Sequence, residues 1–157
     1  MLEYQNLLRE ITNFSIPFLI GSLIFFSLVV APNVFISLNQ QSARKFIRSI
    51  FPKLYLWAFL LSMMVTLSII YQGIIYSIIF LIISSGFLFS KLFLVKRINE
   101  VSDLKQKTKN QIKKFKILHS LSVFIFISQI ICMAIVYFKI QWFIILRRRS
   151  IFTNLFP

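Results

Sequence analysis

Residues 54–95 read LYLWAFLLSMMVTLSIIYQGIIYSIIFLIISSGFLFSKLFLV and carry a single charge. As one helix this stretch would measure about 60 Å, twice the roughly 30 Å hydrocarbon core of a bilayer. The chain must therefore fold back within it. Gln72 and Gly73 are the best position for the turn, because they form its polar and flexible pair. We predict two helices, at about 54–71 and 74–95, with Gly73 as a structural residue between them.

Two more apolar runs, at about 14–38 and 117–138, each approach the ~20 residues that a membrane-crossing helix needs. Hydrophobic residues make up 58% of the chain and charged residues 14%, against roughly 25% charged in soluble domains. Lipid offers no partners for free backbone groups, so the crossings must be helical. We predict an all-α, integral membrane four-helix bundle in which residues 1–157 form one transmembrane domain. We expect a multi-pass protein of a bacterial inner (cell) membrane.

The basic residues are distributed unevenly along the chain, whose net charge is +14. Thirteen of the 18 Lys and Arg residues lie either in the segment after the first apolar helix or from Lys91, near the end of the third, to Lys116. Charge placed beside apolar runs indicates membrane topology and argues against nucleic acid binding. By the positive-inside rule, both of these segments are cytoplasmic and both termini lie outside. The partners predicted from this pattern are the lipid bilayer and its anionic headgroups.

The connecting segments also show helical patterns. Apolar residues between Phe46 and Phe51 share one face, which predicts a short interfacial helix that ends near Pro52. The apolar period that starts at Val101 predicts a fourth helix over about 101–138, with a basic cytoplasmic extension. The apolar run at 140–146 is too short for another crossing, and we predict an interfacial Arg-rich tail at 139–157. That tail contains Arg147, Arg148 and Arg149.

The stretch VVAPNVF at residues 29–35 places Pro32 and Asn33 near the end of the first helix. Pro32 is expected to kink this helix, as a structural residue, and the Asn33 amide needs hydrogen-bond partners in an apolar setting. In the predicted topology the cytoplasmic ends of all four helices meet at one depth. The polar residues expected at that depth are Asn33, Lys53, Tyr55, Arg97, Asn99, His119, Ser120 and Ser122.

From this set we predict a ligand-binding site made of Asn33, Tyr55, Arg97 and His119, where Arg97 and Lys53 would hold a small anionic group. The alternative is that each of these side chains anchors separately at the membrane interface.

Few residues are available for catalysis or metal binding. Cys132 and His119 are the single cysteine and the single histidine, too few for a zinc site or for two-histidine haem ligation. No Walker, GxSxG or HExxH motif occurs, and no acidic residue lies within the apolar spans. We therefore predict no metal and no cofactor. Gln129 and the small residues at 84–86 are expected to form contacts between helices.

These observations favour a non-enzymatic membrane protein that binds a small ligand, a lipid headgroup or a partner at its cytoplasmic face. Two alternatives stay open. One is a small membrane enzyme or haem-associated oxidase, and the other is a transporter or a transporter accessory subunit. At this size a transporter would need to form a homo-oligomer or to bind another membrane protein.

Four short motifs carry a family resemblance: VVAPNVF at 29–35, Ala43, FPKLY at 51–55 and LHSLS at 118–122. Together they resemble the transmembrane protein 205-like family (domain of unknown function 4149). The resemblance covers roughly residues 15–138, without the basic residues at 101–116. It implies an integral membrane protein of about four helices that has no agreed biochemical activity. Links between animal members and tolerance of platinum drugs imply export or metal handling, which no residue pattern here supports independently.

Overall fold

The computed structural model describes residues 2–103 and 108–155, and the side-chain surroundings of 3–103 and 108–146. The described residues form four long helices, each long and apolar enough to cross a membrane. The predicted all-α fold with four such helices is therefore confirmed. Their bounds are as follows: α1 consists of Leu2–Phe25, a π-helical turn Phe26–Val30 and Ala31–Ser37; α2 of Gln40–Ser68 and a 3₁₀ turn Ile69–Gln72; α3 of Ile74–Phe89, a π-helical turn Ser90–Leu94 and Val95–Ser102; and α4 of Lys109–Leu155.

The turn between α2 and α3 lies where the sequence predicts it. α2 ends at Gln72 and α3 begins at Ile74, and Gly73 between them has a φ of 150°. L side chains rarely adopt this backbone conformation, and a Cβ at position 73 would also lie 3.2 Å from the Tyr76 ring. Glycine is therefore required here, and the predicted hairpin is confirmed.

The four helices run alternately up and down, and each packs against its neighbour in the order α1, α2, α3, α4, with α4 returning to α1. The core includes Ile16, Leu19, Leu23, Val65, Phe80, Phe87 and Met133, all fully buried. Hydrogen bonds join each adjacent pair: Thr12 Oγ1 and Ser68 Oγ at 2.9 Å, Ser77 Oγ to Thr66 O at 2.8 Å, Gln129 Nε2 to Ile83 O at 2.8 Å, and Gln141 Nε2 to Asn13 Oδ1 at 2.9 Å. Gln129 thus contacts a neighbouring helix as predicted. We call the end with Ser37, Gln40, Ser102 and Lys109 the basic end, and the opposite end the Gly73 end.

The boundaries predicted for the first two helices are wrong in two respects. α1 begins at Leu2, well before residue 14, because its polar first turns continue the same helix. α2 begins at Gln40 and passes through Pro52 without a break, so no separate interfacial helix precedes it. Asn39 caps this start, with its Oδ1 accepting from Ser42 N–H at 2.9 Å. Packing of Phe51 against Phe26 of α1 favours the continuous helix over a break at the proline.

The predicted start of the fourth helix near Val101 is also wrong. Val101 is buried in the last turn of α3, which ends at Ser102. α4 begins at Lys109 with a capping box: Gln111 N–H donates to Thr108 Oγ1 at 3.4 Å, and Thr108 N–H donates to Gln111 Oε1 at 2.9 Å. The apolar residues that start at Val101 keep their helical spacing across the gap between α3 and α4, so this spacing does not reveal where one helix ends and the next begins. Leu104, one of these apolar residues, lies outside the described residues.

The chain does not leave the helix at residue 139. α4 continues without interruption to Leu155, because Ile140 is buried against the bundle and Gln141 is bonded to α1. The predicted end of the fourth helix at residue 138 is therefore wrong, and the interfacial location of residues 139–157 stays a prediction. The side chains of Arg147, Arg148 and Arg149 lie outside the described surroundings.

Candidate functional site

A cavity of about 570 Å³ opens between α1 and α4 toward the basic end of the bundle. This volume lies within the range of small-molecule sites, roughly 300–1,000 Å³. Its α1 wall includes Ile24 and Ala31, and its α4 wall extends from His119 to Ile131. At 1.5 Å per residue, the α4 wall is about 18 Å long, roughly half of a bilayer core.

The cavity exists because α1 and α4 touch at one end and separate at the other. Near the Gly73 end, Gln141 of α4 donates to Asn13 of α1. Nearer the basic end, Tyr55 reaches diagonally across the bundle from α2, and its hydroxyl lies 3.3 Å from Ser122 Oγ of α4. Tyr55 therefore joins α2 to α4 and lines the cavity that separates α4 from α1.

Both π-helical turns lie close to this cavity. Phe26–Val30 in α1 contributes wall residues directly, and Ser90–Leu94 in α3 immediately precedes the wall residue Val95. The two turns stand at about the same distance from the basic end of their helices. A π turn holds one extra residue and re-aims the side chains that follow it, and such turns are frequent at functional sites.

The π turn in α1 also explains the pair Pro32 and Asn33. Proline has no N–H to donate, and its ring would clash with a carbonyl one α-helical turn earlier. The π turn directly precedes Pro32, with Ala31 N–H bonded to Phe26 O. Asn33 Nδ2 donates to Val29 O at 2.7 Å, so the amide satisfies a carbonyl of its own helix.

Polar side chains line the cavity at its basic end, where Arg48, Asn99, His119 and Ser122 come from three different helices. The wall farther from this end is aliphatic and aromatic, with Ile127, Ile130 and Ile131 on α4. The arrangement suits a molecule that is apolar along most of its length and polar at one end.

Arg48 and His119 are each held by a neighbour. Arg48 Nη1 pairs with Asp103 Oδ1, at the end of α3, and both side chains are partly exposed. The His119 ring is stacked parallel to Phe115, with centroids 6.1 Å apart. The side chains of Arg48 and His119 both border the cavity.

Only part of the predicted cluster comes together. Tyr55 and His119 line the same cavity, and so do Asn99 and Ser122 from the wider polar set. Asn33 is exposed and bonded to its own helix, and Arg97 is exposed with its guanidinium 3.7 Å from Glu100. The expected convergence of Asn33 and Arg97 with the other two is therefore wrong.

Arg48 is the cavity residue that the sequence-based site omits. Its spacing with Phe51 and Tyr55 is i, i+3, i+7, which places all three on one helical face. This spacing could have identified Arg48, had the segment before Pro52 been taken as part of the same helix. Asn99 lies two residues from Arg97, and that offset turns it toward a different face.

Among the described residues, no group of three or more His, Cys, Asp and Glu side chains could hold a metal ion. No protein-family model, curated protein or solved structure matches the chain. The resemblance described above therefore stands on its short motifs, and the geometry of the cavity has to support the functional argument.

Proposed function

We propose that the protein is a multi-pass integral membrane protein that binds an amphiphilic molecule of the membrane in the groove between α1 and α4. The observation that supports this is the cavity itself. It is apolar along α4 from Val123 to Ile131, and Arg48 and Asn99, the guanidinium and the amide of its lining, lie at the basic end. A lipid-like molecule has the same division into an apolar chain and a polar head.

In this proposal the basic end faces the cytoplasm of a bacterial inner membrane. Basic residues follow α1 and α3 in excess, which favours this orientation. Lys109, Lys113, Lys114 and Lys116 lie in the first turns of α4 and are exposed, where they can meet anionic headgroups. The head of the bound amphiphile would then lie near the inner leaflet, and its chain would extend toward the middle of the bilayer.

Binding in a lateral groove needs no catalytic group, and no acidic residue lines the cavity within the part of the chain that the structure describes. Tyr55 is buried, and Ser122 is engaged with it. Binding or presentation of the amphiphile, without a chemical step, is therefore the function that this set of side chains favours.

The test is native mass spectrometry of the full-length protein released from its membranes in a mild detergent. Ile127→Trp would fill the groove, and Phe124→Trp is the matched control, since Phe124 is 69% exposed and does not line the cavity. We expect a bound amphiphile on the wild type and on Phe124→Trp, and its loss from Ile127→Trp. Equal retention by the two variants would contradict binding in the groove.

A further inference from the structure

Arg48 stands at the polar end of the groove with most of its hydrogen-bonding capacity unused by its ion pair. A guanidinium has five N–H donors in a planar fork that fits a carboxylate or a phosphate. The Arg48 ion pair engages Nη1 with one oxygen of Asp103. The Arg48 side chain is 35% exposed and borders the cavity.

Of the four acidic residues, Asp103 is the one that pairs with Arg48. Two of the others, Glu3 and Glu10, lie in the first turns of α1 at the Gly73 end. Glu100 is directed to Arg97, away from the cavity lining. Asp103 is thus the acidic residue that balances Arg48, and it is 58% exposed at the end of α3.

We propose that the groove takes an amphiphile whose head is an acid, a carboxylate or a phosphate, and that this head replaces Asp103 as the partner of Arg48. The inference rests on the proposed function and adds the chemical class of the ligand. Asn99 and His119 border the same end of the cavity and supply further polar contacts for an acidic head. The chain of the amphiphile lies along the aliphatic wall of α4.

The exchange of partners predicts that removal of Asp103 and removal of Arg48 change the affinity for an acidic amphiphile in opposite directions. Asp103 competes with the ligand for Arg48, so its removal strengthens the binding of an acidic amphiphile. Removal of Arg48 weakens that binding. A general electrostatic attraction would instead respond equally to any acidic residue near the basic end.

The experiment is competition for labelling by a photoactivatable stearate, with the full-length protein in a non-ionic detergent. Four competitors separate the components of the ligand: oleate, lysophosphatidate, oleyl alcohol and glycerol phosphate. For the wild type we expect oleate and lysophosphatidate to compete, oleyl alcohol to need about a tenfold higher concentration, and glycerol phosphate to have no effect. Arg48→Gln should raise the half-inhibiting oleate concentration about tenfold and leave that of oleyl alcohol unchanged.

Asp103→Asn should lower the half-inhibiting oleate concentration several-fold. The reason is that oleate no longer has to displace an exposed ion pair, whose strength sets the size of the effect. The matched controls are Arg97→Gln and Glu100→Gln, which change the net charge identically at the neighbouring pair and should leave oleate competition unchanged. Because Asp103 is largely exposed, its variant keeps the test valid even if Arg48→Gln does not fold.

Three outcomes would overturn the assignment. If oleate and oleyl alcohol compete equally in every variant, the acidic head is wrong and groove binding survives. If Asp103→Asn and Glu100→Gln behave alike, the exchange of partners is wrong. If no chain-bearing competitor acts, or glycerol phosphate competes as well as lysophosphatidate, the proposed function fails and the inference fails with it.

Discussion

Gly86 provides a test of the contact between α3 and α4. A Cβ at position 86 would lie 2.5 Å from Nε2 of Gln129 and 3.4 Å from its Cδ. That Nε2 donates to Ile83 O at 2.8 Å, while no residue that the structure describes donates a hydrogen bond to the buried Oε1. Gly86→Ala should therefore displace the Gln129 amide and remove its hydrogen bond to α3.

The expected cost combines two terms. Overpacking and the lost hydrogen bond together destabilise by about 1–3 kcal/mol. Alanine gains up to ~1 kcal/mol of helix propensity over glycine. Taking the middle of the first range, about 2 kcal/mol, and the full ~1 kcal/mol of helix propensity, Gly86→Ala should lower the free energy of unfolding by about 1 kcal/mol. In a Gln129→Ala background the clash is absent. There, Gly86→Ala should raise the free energy of unfolding by up to ~1 kcal/mol.

The assay is reversible unfolding of the four members of this double-mutant cycle in one detergent, which yields the coupling free energy directly. Gly21→Ala is the matched control, because a Cβ there meets nothing within 4 Å. Its effect should be the same in both backgrounds. If Gly86→Ala destabilises equally with and without Gln129, the proposed clash is not its cause.

Three further predictions concern other parts of the chain. Gly73→Ala should destabilise by about 1–3 kcal/mol in the same unfolding assay, because of the φ of 150° at that position, and a neutral result would contradict the turn geometry. Asn33→Ala should cost about 0.6 kcal/mol, the average for hydrogen bonds in membrane helices, and should be additive with His119→Ala to within about 0.5 kcal/mol; a larger coupling would restore the four-residue site. A cysteine placed at Lys109, in a chain without Cys132, should be labelled by an impermeant thiol reagent only from the cytoplasmic side, and labelling of intact cells from outside would refute the orientation.

The helix count and the hairpin could be predicted because physical alternatives were few. An apolar stretch twice as long as a bilayer core has to turn. Gly73 lies at that turn, between the last residue of α2, Gln72, and the first residue of α3, Ile74. Helix boundaries outside the apolar runs were harder, since amphipathic periodicity continues across the end of α3. The capping box of Thr108 and Gln111 marks the start of α4, and it is a local signal that periodicity does not contain.

For the candidate site, the sequence predicts only which residues lie at the same depth along the bundle. The sequence indicates that Tyr55 and His119 lie at the same end of the bundle, and both line the cavity. It does not indicate the direction of Asn33, because an asparagine beside a proline can satisfy a carbonyl of its own helix instead of another side chain. The preference for Arg48 over Arg97 depends on which helical face borders the gap between α1 and α4, and packing decides that.

The central claim, an amphiphile bound between α1 and α4, is tested most directly by electron paramagnetic resonance of chain-labelled stearate with the reconstituted protein in phosphatidylcholine bilayers. A molecule held in the groove gives an immobilised spectral component, separate from the mobile component of the bulk lipid. We predict that this component saturates at about one stearate per protein, because the groove between α1 and α4 is proposed to hold one amphiphile. It should persist in Phe124→Trp and disappear in Ile127→Trp. An immobilised component that is absent from the wild type, or unchanged in Ile127→Trp, would contradict the account.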